Sequence, residues 1–148
     1  MDAYIVIGNP NTRKASLVRS LTGCFNRSVR DIQPLGGKPV LRIYARVGAL
    51  QDTRAGPEDF IAEVVRMRCT AVLCCLSPSA NPDHAERCPD AAAYLAAFKA
   101  AGWRLCAIAV LGQNGGGVRS ANLLQFPQAP VAPINHTARA VRAHFGWE

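Results

Sequence analysis

Three short apolar runs limit most sharply what this chain can fold into: Ala3-Tyr4-Ile5-Val6-Ile7, Ala71-Val72-Leu73-Cys74-Cys75-Leu76 and Leu105-Cys106-Ala107-Ile108-Ala109-Val110-Leu111. None alternates apolar with polar residues, so a strand built from any of them is buried on both faces. That is the habit of a parallel sheet covered by helices on each side. Between the runs lie helical patterns. Leu17, Val18 and Leu21 recur at helical spacing from about Lys14 to Leu21, with Gly23 placed to end the helix. Pro57 opens a second helix, with Phe60, Ile61, Val64, Val65 and Met67 expected on its inner side. Asp90 is placed to cap a third over 91–101, which Gly102 ends, and Asn135 or Thr137 begins a fourth through Ala140, Val141 and Phe145.

Residues 28–34 and 39–47 read as two strands of a hairpin turning at Gly36-Gly37, and Leu123, Leu124 and Phe126 as a last edge strand. The expectation is a three-layer α/β sandwich: a mainly parallel sheet of about five or six strands, with one antiparallel hairpin strand. At 148 residues, with no internal repeat and no linker, residues 1–148 read as one domain.

Other classes drop out on composition. No apolar run approaches the ~20 residues of a bilayer span. Asp2 stands where a signal peptide would be basic, so a cytoplasmic domain is expected. The six cysteines, Cys24, Cys69, Cys74, Cys75, Cys88 and Cys106, contain no C-x-x-C pair and read as buried thiols in a reducing compartment. Arginine outnumbers lysine 14 to 3 and alanine is abundant, which suggests GC-rich bacterial coding.

The net charge of +7 is not spread evenly. Residues 13–54 hold nine basic residues (Arg13, Lys14, Arg19, Arg27, Arg30, Lys38, Arg42, Arg46 and Arg54) against Asp31 and Asp52 only. The remainder of the chain is close to neutral. A local surplus creates a field that favours phosphate, nucleotide or nucleic acid.

The first strand leads through Gly8-Asn9-Pro10-Asn11-Thr12-Arg13-Lys14-Ala15-Ser16-Leu17 into the first helix, which closes on Leu21-Thr22-Gly23. Strand, Gly-rich turn and helix is the layout of a loop whose backbone N–H groups hold oxyanions. The segment resembles the first motif of translation-factor-related GTPases, small-GTPase-like P-loop proteins that read G-N-P-N-x-G-K-S-x-L, often with L-T-G at the helix end. Gly8, Asn9, Pro10, Asn11, Lys14, Leu17, Leu21, Thr22 and Gly23 match. The resemblance implies a P-loop NTPase-like fold, with Gly8, Asn11, Thr12, Arg13, Lys14, Ala15 and Ser16 around a phosphate of GTP or another ligand.

Departures from the pattern carry chemical weight. Arg13 replaces the glycine that lets the backbone approach phosphate, and its side chain is expected to crowd the loop and resist a glycine-like torsion. Ala15 replaces the hydroxyl that ligates Mg²⁺. Ser16 comes one residue late, about 100° around the helix. The D-x-x-G frame reads Ala45-Arg46-Val47-Gly48, with Asp52-Thr53-Arg54-Ala55-Gly56 as a displaced version. No threonine lies between Gly23 and Gln51, and Gly112-Gln113-Asn114-Gly115 lacks the aspartate that would read guanine.

The expectation is therefore a pseudo-GTPase, a binding or scaffold domain that has shed the Mg²⁺ ligands. In it Arg13, Lys14 and some of Arg19, Arg27, Arg30 and Arg46 neutralise the ligand's charge. Two alternatives stay open: a divergent GTP or ATP hydrolase with Arg13 acting in cis, and a nucleic-acid-binding module on the basic region 13–54. Degraded switch regions also offer a docking surface for a protein partner. His84-Ala85-Glu86 matches a fragment of the zinc-deaminase signature, but Cys88-Pro89 reverses the order needed for the remainder. His136 and His144 lack acidic or cysteine partners, and Gly115-Gly116-Gly117 with Arg119 reads as a flexible loop.

Overall fold

A computed structural model describes residues 1–148. Eleven elements follow one another: β1 (Asp2–Gly8), α1 (Lys14–Thr22), β2 (Arg27–Ile32), a 3-10 turn (Leu35–Gly37), β3 (Leu41–Ala49), α2 (Pro57–Met67), β4 (Ala71–Leu76), α3 (Ala91–Ala100), β5 (Arg104–Leu111), β6 (Leu123–Phe126) and α4 (Ile134–Phe145). The six strands form one sheet in the order β2-β3-β4-β1-β5-β6. Only β2 runs antiparallel, against β3; every other neighbouring pair is parallel. The three apolar runs are the central strands β4, β1 and β5, where burial on both faces is unavoidable.

Side chains of β1 alternate between two cores. Tyr4 and Val6 join α1 and α4 on one face; Ala3, Ile5 and Ile7 join α2 and α3 on the other. That is the three-layer arrangement, with its helices divided two and two. A consequence matters for function. β1 sends its chain to α1 on one face, whereas its neighbour β4 sends the chain to α3 on the opposite face. Between the carboxyl ends of two such strands no helix closes the edge, and open α/β sheets place ligand crevices there.

The hairpin differs from expectation in register. β2 ends at Ile32 and β3 reaches Ala49, two residues beyond the anticipated end. Pairing with β4 resumes at Ala49 after a register shift that follows Ala45, and the irregular stretch carries Val47, Gly48 and Ala49 to the crevice edge. On α2, Phe60 and Val64 are buried, but Val65 is 65% and Met67 38% exposed. At 3.6 residues per turn Val65 rotates away from the stripe through 57, 60 and 64, whereas Met67 lies on that stripe and is exposed as the last residue of the helix. Of the cysteines, five are buried and Cys106 is half-buried; all six are free thiols. No helix is long and apolar enough to cross a membrane.

Candidate anion-binding cleft

The three helices nearest the crevice start differently. α2 carries Glu58 and Asp59 in its first turn, and the Asp90 side chain accepts from the Ala93 N–H at 3.0 Å to cap α3. α1 has no acidic residue in its first turn and no side-chain cap. Its first internal bond is Leu17 N–H to the Arg13 carbonyl at 2.9 Å, and the N–H groups of Lys14, Ala15 and Ser16 have no partner within the chain. Open donors at the positive end of a helix favour an anion.

The loop that delivers the chain to α1 is braced from inside. Thr12 is buried, and its hydroxyl donates to the Asn9 carbonyl at 2.7 Å. This packs Thr12 onto the end of β1 so closely that a Cβ at Gly8 would collide with Thr12 Oγ1, which is why glycine is required there. Lys14 is also buried, with 8% of its surface exposed. Its ammonium donates to the carbonyls of Gly8 at 2.7 Å and Asn9 at 2.9 Å. An ammonium has three protons, so one is left for a ligand. Burial lowers the Lys14 pKa from its ordinary value, while the charges of Cys75 and Asp52 act to raise it.

Arg13 corrects an expectation. Its backbone takes the left-handed torsion, φ 71° and ψ 31°, that the glycine of the resembling motif would supply. The side chain leaves the loop and donates to the Ala132 carbonyl. The strain of a non-glycine residue in that region, about 1 kcal/mol, is offset by a bond that ties the loop to the segment before α4. The guanidinium is held against protein.

An open cleft of about 500 Å³ lies against this loop, lined by Pro10, Asn11, Arg13, Lys14, Ala15 and Ser16 from one side and by Val47, Gly48, Ala49 and Asp52 from the other. The sequence-derived site residues thus converge, with Gly8 and Thr12 forming the support behind them. Asp52 was read as a displaced member of a degraded frame. The structure brings it to the cleft because Gln51 anchors the turn after β3. Gln51 is buried; its amide donates to the Ser77 carbonyl at 2.9 Å and its Oε1 accepts from the Ser77 N–H at 2.9 Å. Nothing in the local sequence marked Gln51, since its partners lie 26 residues away on the end of β4.

Compared with known proteins, the chain matches no family model, no curated protein and no solved structure. Its chemistry is read from its own residues.

Magnesium held in the manner of P-loop GTPases uses a hydroxyl at the second residue of the helix together with a carboxylate. Ala15 has no donor atom, and the Thr12 hydroxyl is turned to Asn9. Asp52 stands without a second acidic group beside it, and no group of three or more His, Cys, Asp or Glu side chains converges anywhere in the chain. The donor set does not fit an ion held in that way. His84 and Glu86 sit in the loop between β4 and α3, outside any such cluster.

Base recognition would fall to the loop after β5. There Asn114 donates to Asn9 Oδ1 at 3.2 Å and accepts from the Gly116 N–H at 2.9 Å. Asn114 is exposed, and these two bonds leave its amide one N–H and one acceptor site.

The basic region 13–54 is divided by the fold. Arg19, Arg27 and Arg46 line a second hollow next to the cleft. Arg46 is held there by Glu63 at 3.2 Å and by the Thr53 hydroxyl at 2.9 Å, and its guanidinium lies over the Phe60 ring. Glu63 also accepts from the Tyr44 hydroxyl at 2.7 Å; burial, with help from that bond, pushes the Tyr44 pKa up to about 12. Arg30 donates to the Gly23 carbonyl, while Lys38, just before β3, and Arg42, near its start, lie at the opposite end of that strand from the cleft.

Proposed function

We propose that the cleft binds a phosphate group and that the chain is a pseudo-GTPase, a P-loop-like domain that recognises a phosphate-bearing ligand without hydrolysing it. The observation that carries this reading is the uncapped start of α1: three unpartnered N–H groups and one free proton of a buried lysine, at the cleft between the loop after β1 and the end of β3. Charge-assisted hydrogen bonds from such donors are roughly twice as strong as neutral ones. The missing hydroxyl at Ala15 and the lack of an aspartate in Gly112-Gln113-Asn114-Gly115 argue for binding that uses neither a divalent ion held in the GTPase manner nor a guanine base.

Thermal unfolding in phosphate, pyrophosphate, GDP, GTP and ATP, each with and without Mg²⁺, tests the reading. Phosphate and pyrophosphate are expected to raise the melting temperature equally with Mg²⁺ or EDTA. Saturation at a hundred times Kd contributes about 2.7 kcal/mol. Lys14→Ala is expected to abolish the response. Stabilisation by GTP only in the presence of Mg²⁺ would overturn the proposal. Asp52 facing the cleft is the observation that favours a divergent hydrolase instead; Mg²⁺-dependent turnover of GTP or ATP, lost in Asp52→Asn, would establish it.

A further inference from the structure

The cleft at the loop does not end at α1. A second hollow of about 450 Å³ follows it between α1 and β3, and the two share a wall made by Ala15, Val47 and Gly48. These residues carry small side chains or none at the points where the hollows meet. Together the hollows form one groove running along the helix, from Lys14 to Arg19. Five residues of α-helix separate the two cations, about 7.5 Å of rise.

The far end of the groove has charge that the protein does not fully use. Arg27 has 63% of its side chain exposed, and its acidic neighbour Glu63 is 3.7 Å away. Glu63 is already bound more closely by Arg46 and Tyr44. Arg19 donates through Nε to the Phe25 carbonyl at 3.3 Å, which orients the guanidinium and leaves both terminal nitrogens without a partner. Asn26 adds an amide to the same wall. Arg46, by contrast, has each terminal nitrogen engaged.

We propose that Arg19 and Arg27 form a second anion subsite, and that the ligand is a linear phosphoanhydride chain long enough to lie along the groove from the loop to these two arginines. The proposal rests on the phosphate-binding reading of the loop and deepens it. A single phosphate reaches only the loop donors; a chain reaches both ends, and the second contact then forms at high effective concentration. The loop after β5, Gly112-Gln113-Asn114-Gly115, has no aspartate to read guanine, so a nucleoside at the end of the chain gains no base-specific contact there.

Binding of pyrophosphate, tripolyphosphate, ATP, GTP and long-chain inorganic polyphosphate, measured by calorimetry at fixed salt, tests this. Affinity is expected to rise about tenfold or more from pyrophosphate to the long chain. Tripolyphosphate, ATP and GTP are expected to agree within about threefold, since only their shared chain is read. In Arg19→Ala/Arg27→Ala the long-chain advantage is expected to vanish while pyrophosphate affinity holds. Lys38→Ala/Arg42→Ala removes the same charge at the far end of the sheet and is expected to keep the advantage. An advantage that survives in the first double variant, or falls equally in both, would overturn the subsite and leave only the general field of the chain. GTP or ATP binding far better than tripolyphosphate would overturn the chain as ligand. If pyrophosphate itself fails to bind and Lys14→Ala changes nothing, the loop reading falls, and this one with it.

Discussion

Two loops leave the carboxyl ends of adjacent parallel strands, one after β1 and one after β5, and they handle their polar groups in opposite ways. The loop after β1 turns its carbonyl oxygens inward, to Lys14 and Thr12, and leaves the N–H groups of Lys14, Ala15 and Ser16 pointing at an open cleft. In the loop after β5 the Asn114 side chain accepts from the Gly116 N–H of its own loop and donates across to Asn9 of the first. A backbone donor left without a partner beside solvent is available to a ligand; one already paired must break a bond first. The same sheet edge therefore holds a loop with open backbone donors beside a loop whose polar side chain is partly engaged by protein. The difference lies in which side chains fold back onto the backbone.

The sharpest way to break this contrast is at Gly8. Gly8→Ala drives a methyl against Thr12 Oγ1 and is expected to destabilise the fold by about 1–3 kcal/mol, as overpacking does. Adding Thr12→Ala removes the nearest clash and is expected to restore part of the loss in urea unfolding. No recovery would mean that the Leu111 carbonyl, 3.2 Å from the added methyl, sets the limit instead.

Alkaline pH probes the support beneath the loop. Burial pushes the Cys75 thiol up to about 12 from an ordinary 9.0. Between those values the unfolded chain releases a proton that the folded chain keeps, so stability falls as pH rises, at about 1.4 kcal/mol per unit. Lys14 acts in the other sense: burial lowers its pKa, so its contribution rises with pH until the unfolded value of 10.5 is passed. Cys75→Ala is expected to flatten the decline between pH 9.0 and about 12 in denaturant titrations. An unchanged slope would show that Cys75 ionises in the folded protein.

Arg13 separates backbone from side chain. Since its guanidinium is bonded to Ala132, Arg13→Gly is expected to keep the left-handed torsion and to alter pyrophosphate affinity by less than about threefold. A loss of tenfold or more would show that the guanidinium swings to the ligand, as the in-cis hydrolase reading requires.

The smallest effect belongs to the loop after β5. Asn114→Ala is expected to lower stability by about 0.5 kcal/mol and to leave anion affinity where it was. A clear change in affinity would show that the two loops act as one site.

Much of this was legible in the sequence because it depends on local rules. The central strands were visible as unbroken apolar runs, and α1 as a helical stripe between a turn and Gly23. Candidate residues 8–16 were visible as a strand-turn-helix segment. The exposure of Val65 was legible in principle, since rotation along a helix is fixed; that of Met67 was not, because it lies on the buried stripe and is exposed only at the last residue of the helix. The anchoring of Asp52 was not legible, because Gln51 finds its partners on β4 only after the sheet has formed.

The sequence by itself determined the three-layer class, the identity of the buried strands and the place where a loop meets an uncapped helix, because each follows from periodicity and turn chemistry within a few residues. Only the tertiary structure decided that Arg13 takes the glycine-like torsion and turns to Ala132, that Asp52 reaches the cleft, and that Arg19 and Arg27 share a groove with Lys14. Those outcomes depend on which distant groups lie within hydrogen-bonding reach, and that is set by strand order. The order β2-β3-β4-β1-β5-β6 arises from packing across the whole sheet, where no single segment carries the information.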